Sequence, residues 1–114
     1  MSRSATLDLV RLEKKSSEQK ILHVFRTWTI PVVRALGEKS PSRFNELKRK
    51  IRGVSSTSLS ERLSSLEKEG ILQRVVVPDN PPSVEYSLTA KGMELHTILV
   101  ELGDWAEKWN ENIR

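Results

Sequence analysis

The side chains with chemistry to offer are concentrated in one stretch, VSSTSLSERLSSLEKEGIL, residues 54–72. Ser55, Ser56, Thr57, Ser58 and Ser60 place hydroxyls at its start. Serine and threonine are middling helix formers, because their hydroxyls compete for backbone groups. Yet Leu59, Leu63 and Leu66 follow at spacings of four and three, the stripe of a core-packing helix. One hydroxyl serves as a cap; five suit a helix tip that must approach a partner closely, donating to phosphate oxygens or meeting base edges. Thr57 and Ser58 are the pair expected to meet that partner first, with Glu61, Arg62 and Ser65 on the same polar face. Ser58 and Glu61 also fit a capping box, unless Ser55 caps and the helix starts a turn earlier. Arg62 has no acidic residue three or four positions away, so an intrahelical ion pair does not account for it. It suits a bidentate contact to guanine or phosphate; the alternative is a solvated surface arginine.

A second set of polar groups is cationic. Arg43 opens the segment SRFNELKRKIRG, and Lys48, Arg49, Lys50 and Arg52 close it. Lys48, Lys50 and Arg52 are expected phosphate contacts, although cations at the C-terminal end of a helix also complement its dipole, and Arg43, at the helix start, is either a phosphate contact or a plain surface arginine. Arg74 and Asn80 are weaker candidates further along. Other chemistries find no support. His23 and His96 lack ligand-spaced partners, there is no cysteine, and no nucleophile–base set or glycine-rich phosphate loop is present. The expectation is a protein that is not an enzyme and holds no metal or cofactor.

The elements that must position these groups follow from periodicity. A helix is expected over residues 4–15 and another over 17–26, capped by Ser16 or Ser17 and burying Ile21, Leu22 and Phe25. WTIPVVRAL reads as a helix capped by Thr29, with Pro31 in its first turn and Gly37 at its end. Ser42 is the expected cap of the short helix carrying Phe44, Leu47 and Ile51 inward. A tight turn at Gly53 and Val54 leads to the hydroxyl-bearing helix, residues 56–69, which Gly70 stops. ILQRVVV and SVEYSL then read as a hairpin, residues 71–88, around the proline-bearing tip PDNPP. Thr89 caps a last helix to about residue 112. Its Leu95, Ile98, Leu102, Trp105 and Trp109 form a heptad-like seam. Lys91 lies in the first turn of that helix, against the dipole, with no reason visible in the sequence.

Helix, tight glycine turn, helix is a helix-turn-helix, whose second helix enters the DNA major groove N-terminus first. The hairpin then reads as a wing. The fold expected is mainly α with a small antiparallel β wing, as one domain over residues 1–114. The 114 residues carry 30% charged and 37% apolar side chains and a net charge of +4. Residues 1–52 hold 13 Lys or Arg against 5 Asp or Glu, which suits a polyanionic partner. No apolar run approaches the roughly 18 residues of a membrane span, and the N-terminus lacks a signal-peptide core, so a cytoplasmic protein without membrane contact is expected.

The run RFNEL, then I.GVS, then LSERLSSLEKEGIL.R, followed by PP.VEYSLTAKG, resembles the HxlR family of winged helix-turn-helix transcriptional regulators. The resemblance covers about residues 20–109, and Trp28 and Trp105 look like the family's tryptophan positions. It implies a homodimeric, MarR-like regulator of double-stranded DNA, held together by terminal helices, residues 4–26 and 89–112. Ile21, Leu22, Phe25, Leu95, Ile98, Leu102, Trp105 and Trp109 are then the expected dimer interface. Three features depart from the family. No cysteine is present for thiol sensing. Thr57 stands where relatives often carry a basic residue. The wing tip, with Asp79 and Asn80, is acidic where a minor-groove finger would want arginine. Nothing in the sequence marks a pocket for a small-molecule effector. The alternative function is a winged-helix module that binds protein rather than specific DNA.

Overall fold

The computed structural model describes residues 16–110; the helix expected over residues 4–15 lies outside them. Five helices and three strands follow in order: α1 (Ser17–Val24), α2 (Thr29–Glu38), β1 (Ser42–Arg43), α3 (Phe44–Lys50), α4 (Ser56–Lys68), β2 (Leu72–Val77), β3 (Ser83–Leu88) and α5 (Ala90–Asn110). The sheet is antiparallel in the order β1-β3-β2. The hairpin register pairs Leu72 with Leu88 and Val77 with Ser83, and the two-residue β1, which periodicity cannot reveal, pairs Ser42 with Tyr86. The result is the expected α-rich fold with a β wing.

The core forms where the apolar stripes meet. Val32, Val33 and Leu36 of α2, Leu47 of α3, and Leu59, Leu63 and Leu66 of α4 are all buried to 1% exposure or less. Ile71, Leu72, Leu88 and Leu99 close it from the wing and α5. Burying each such side chain contributes about 1.5–3 kcal/mol.

Several local assignments differ from the sequence reading. Thr29 is not a cap. Its side chain is fully buried, and its hydroxyl donates to the Val24 carbonyl at 2.7 Å. The N-cap is Trp28, in the left-handed conformation at φ 76°, a placement that costs a bulky residue about 1–3 kcal/mol. Gly37 does not end α2, which continues through Glu38. It is instead a contact point, because a Cβ there would lie 2.1 Å from the His96 ring of α5. Ser42 does not cap α3 either; it is buried in β1 and donates to the Lys39 carbonyl, while the cap position falls to Arg43, whose N–H donates to Glu46.

Other expectations hold. Ser16 caps α1 in a capping box with Gln19. The Thr89 hydroxyl accepts from the Gly92 N–H at 3.2 Å. Gly92 is pressed so closely on the wing that a Cβ would lie 2.0 Å from the Ile71 carbonyl oxygen. Lys91 now has a reason: its ammonium donates to the Glu69 carbonyl at 2.7 Å, satisfying the C-terminal end of α4.

The expected apolar face of α1 is not buried within the protomer. Ile21 and Leu22 are 54% and 63% exposed, because the eight-residue helix leans on the core only through Val24 and Phe25 at its end. α5 likewise leaves the core after Leu99, and Ile98, Leu102, Trp105 and Trp109 are all exposed. Leu95, nearer its start, is half-buried against the core.

Candidate nucleic-acid interface

Ser55 caps α4, its hydroxyl accepting from the Ser58 N–H at 3.0 Å. The helix therefore begins at Ser56, and the Ser58–Glu61 capping box is not formed. At 100° per residue, Thr57, Glu61, Ser64 and Lys68 fall within about 50° of the direction opposite the leucine stripe. All four are exposed, as are Ser55, Ser56 and Ser60. Ser58 is half-buried, on the flank toward α2 rather than on the outward line.

Arg62 lies on that same flank and is half-buried. Its Nε donates to the Thr27 carbonyl at 3.0 Å and one terminal nitrogen reaches the Ser65 hydroxyl at 3.4 Å. It ties α4 to the loop before α2. On the opposite flank, Ser60, Ser64 and Glu67 share a recess with Arg74 and Tyr86 of the wing. Ser64 is not among the site residues expected from the sequence, whereas Ser60 is one of the five hydroxyls of the helix tip. Their spacing with Glu67, four and three, is the signal that puts them on one flank.

Cations surround this head unevenly. Arg43, at the start of α3, is exposed and sits opposite Glu85 of β3. Lys48 and Arg52 are exposed, as are Arg74 in mid-strand and Asn80 at the wing tip. Lys50 differs, because it forms an ion pair with Glu38 of α2. A hydrogen bond from Lys50, with its charge, holds the Glu38 carboxyl below the usual carboxylate range. Lys39 does the same for Glu46, with help from the Arg43 N–H. The C-terminal end of α4 is tied down as well: His23 Nε2 lies 2.8 Å from Oε1 of Glu69, whose carboxylate oxygens are shielded from solvent.

Two helices across a tight turn, with the outward one flanked by a two-stranded wing, define a winged helix-turn-helix protein. The chain belongs to the HxlR-like helix-turn-helix family, whose model matches residues 24–114. It is a transcriptional regulator of the helix-turn-helix type. The uncharacterized HTH-type transcriptional regulator YtfH of Escherichia coli K12 is 40% identical over 95 residues, spanning 83% of this chain and 75% of that protein. Among solved structures, the transcriptional regulator ytfH from Salmonella typhimurium superposes with a TM-score of 0.71 at 36% identity, covering 87% of this chain and 88% of its own. A MarR-family transcriptional regulator from Enterococcus faecalis V583 gives 0.75 at 27% identity, covering 87% and 93%. No helix among the described residues is long and apolar enough to cross a membrane.

Proposed function

We propose that this regulator binds specific double-stranded DNA as a homodimer, with the N-terminal half of α4 in the major groove and the wing beside it. The observation that carries the reading is the outward line of α4: the hydroxyls of Thr57 and Ser64, the Glu61 carboxylate and the Lys68 ammonium, exposed and directly opposite a fully buried leucine stripe. Thr57, Ser56 and Ser60 are small enough to pass between phosphate ridges, and Glu61 can accept from a cytosine amino group. Arg43, Lys48, Arg52 and Arg74 supply phosphate contacts, with Asn80 at the wing tip. Ser58 and Arg62 act from the flank, Ser55 by capping, and Lys50 only to the extent that Glu38 releases it.

Dimerisation is supported by apolar surface with no partner among the described residues of the protomer. Ile21 and Leu22 on α1 and Ile98, Leu102, Trp105 and Trp109 on α5 are exposed at 53–63%. Phe25 and Leu95 lie half-buried beneath them. Two copies packed through these faces present two reading heads to one face of DNA, about one helical turn or 34 Å apart. Selection of bound fragments from random duplex DNA is the test. Enrichment of an inverted repeat supports the reading, and recovery of no preferred sequence refutes it. A protein-binding module draws some support from the withdrawal of Arg62 and Lys50 into internal contacts; capture of a protein partner without any retardation of duplex DNA would establish it instead.

A further inference from the structure

Glu61 is the one anion on the outward line of α4, and no structural duty explains it. It lies within about 15° of the direction opposite the leucine stripe, nearer to it than Thr57 or Ser64, and its side chain is exposed. The cap at Ser55 gives the capping-box place to Ser58 and leaves Glu61 outside it. The first turn holds no acidic residue, and the pull of the helix dipole fades before Glu61 is reached. The residues three and four positions away, Thr57, Ser58, Ser64 and Ser65, carry no charge to balance it. Lys68, the cation on the same line, stands about two turns further on. Arg62, next in the chain, is turned to the Thr27 carbonyl. Glu61 forms no ion pair among the described residues.

A carboxylate so placed is repelled by the phosphates of any duplex it approaches, so it needs a group in the groove that answers it. Ionised, it only accepts hydrogen bonds. Guanine and thymine set acceptors of their own in the major groove, and adenine sets its N7 acceptor beside its amino group. Cytosine presents the N4 donor with no acceptor on the same base. Resting on the DNA-binding reading, we infer that Glu61 is the specificity-determining residue that fixes one cytosine in each operator half-site, by excluding the other three bases as much as by attracting that one.

Parallel selections from random duplex DNA test this with the full-length unsubstituted protein, Glu61→Gln and Glu61→Ala. Glutamine keeps the size but offers one donor and one acceptor edge, the pattern that matches adenine N6 and N7. The expected result is one inverted repeat shared by all three proteins and differing at a single position per half-site. Cytosine stands there for the unsubstituted protein, adenine for Glu61→Gln, and no preferred base for Glu61→Ala. Fluorescence anisotropy on duplexes exchanged at that position in both half-sites gives the magnitude. The unsubstituted protein should bind the cytosine form at least tenfold more tightly than the adenine form, and Glu61→Gln should reverse the order. Glu61 is exposed, so both variants keep the fold, which unchanged circular dichroism verifies. The same consensus from all three proteins, or a change confined to a position that does not hold cytosine, overturns the assignment and leaves the DNA-binding reading in place. Recovery of no preferred sequence with the unsubstituted protein overturns both.

Discussion

The salt dependence of DNA binding separates cations that face the solvent from those already engaged. Of the candidate phosphate contacts, Arg43, Lys48, Arg52 and Arg74 are exposed and unpaired among the described residues, whereas Lys50 is held by Glu38. A dimer on one operator would then neutralise about eight phosphates, and log affinity should fall against log salt with a slope of about −7. Raising salt from about 50 to 200 mM should weaken binding roughly ten-thousandfold. Arg43→Ala removes one contact per protomer, so the slope should become shallower by about 2. Lys50→Ala should change it by well under 1, because the charge removed was already balanced. Glu38→Gln, by releasing Lys50, should steepen it. Fluorescence anisotropy of a labelled operator, titrated at several salt concentrations, reads all three. An Arg43→Ala slope equal to that of the unsubstituted protein, or a Lys50→Ala slope as shallow as that of Arg43→Ala, refutes the assignment of free and engaged cations.

Other expectations concern the scaffold. Gly92→Ala should destabilise by about 3 kcal/mol, because the new methyl meets the Ile71 carbonyl, and Gly37→Ala by about 1–2 kcal/mol, because the His96 ring can turn aside; urea unfolding ranks the two. His23→Ala should cost about 1 kcal/mol by leaving the Glu69 carboxylate unanswered, and adding Glu69→Leu should recover most of it in a double-mutant cycle. Glu38 and Glu46 have carboxyl groups held below the ordinary value of 4.5, so their contribution is present above that pH and lost as pH falls through the lowered values. Melting temperature should therefore decline on acidification below about 4.5, less steeply in Glu38→Gln/Glu46→Gln.

Where a residue's role depends on its neighbours along the chain, the sequence disclosed it. The leucine stripe of α4, the caps at Ser16 and Thr89, the stop at Gly70 and the hairpin of the wing all follow from local spacing, and all are present, although burial along the two wing strands does not alternate. Roles decided by groups distant in sequence were hidden. Arg62 meets a carbonyl 35 residues away, and Lys91 one 22 residues away. Thr29 looked like a cap because hydroxyls before a helix usually are, but the chain turned it inward to Val24. Gly37 looked like a terminator because glycine commonly is, but α5 passes too close to allow a side chain there. The hydroxyl cluster was visible as a cluster. Its outward line was not resolved until the cap fell on Ser55 and set the phase of the helix.

The ties along α4 have a mechanical result. Arg62 fastens its middle to the segment before α2, His23 of α1 grips Glu69 at its end, and Lys91 of α5 holds the carbonyl of that same Glu69. The helix cannot pivot by itself without breaking one of them. Any tilt must be shared with α1 and α5, whose outer sides are the greasy ones. Pressure applied to those sides would thereby be felt along α4.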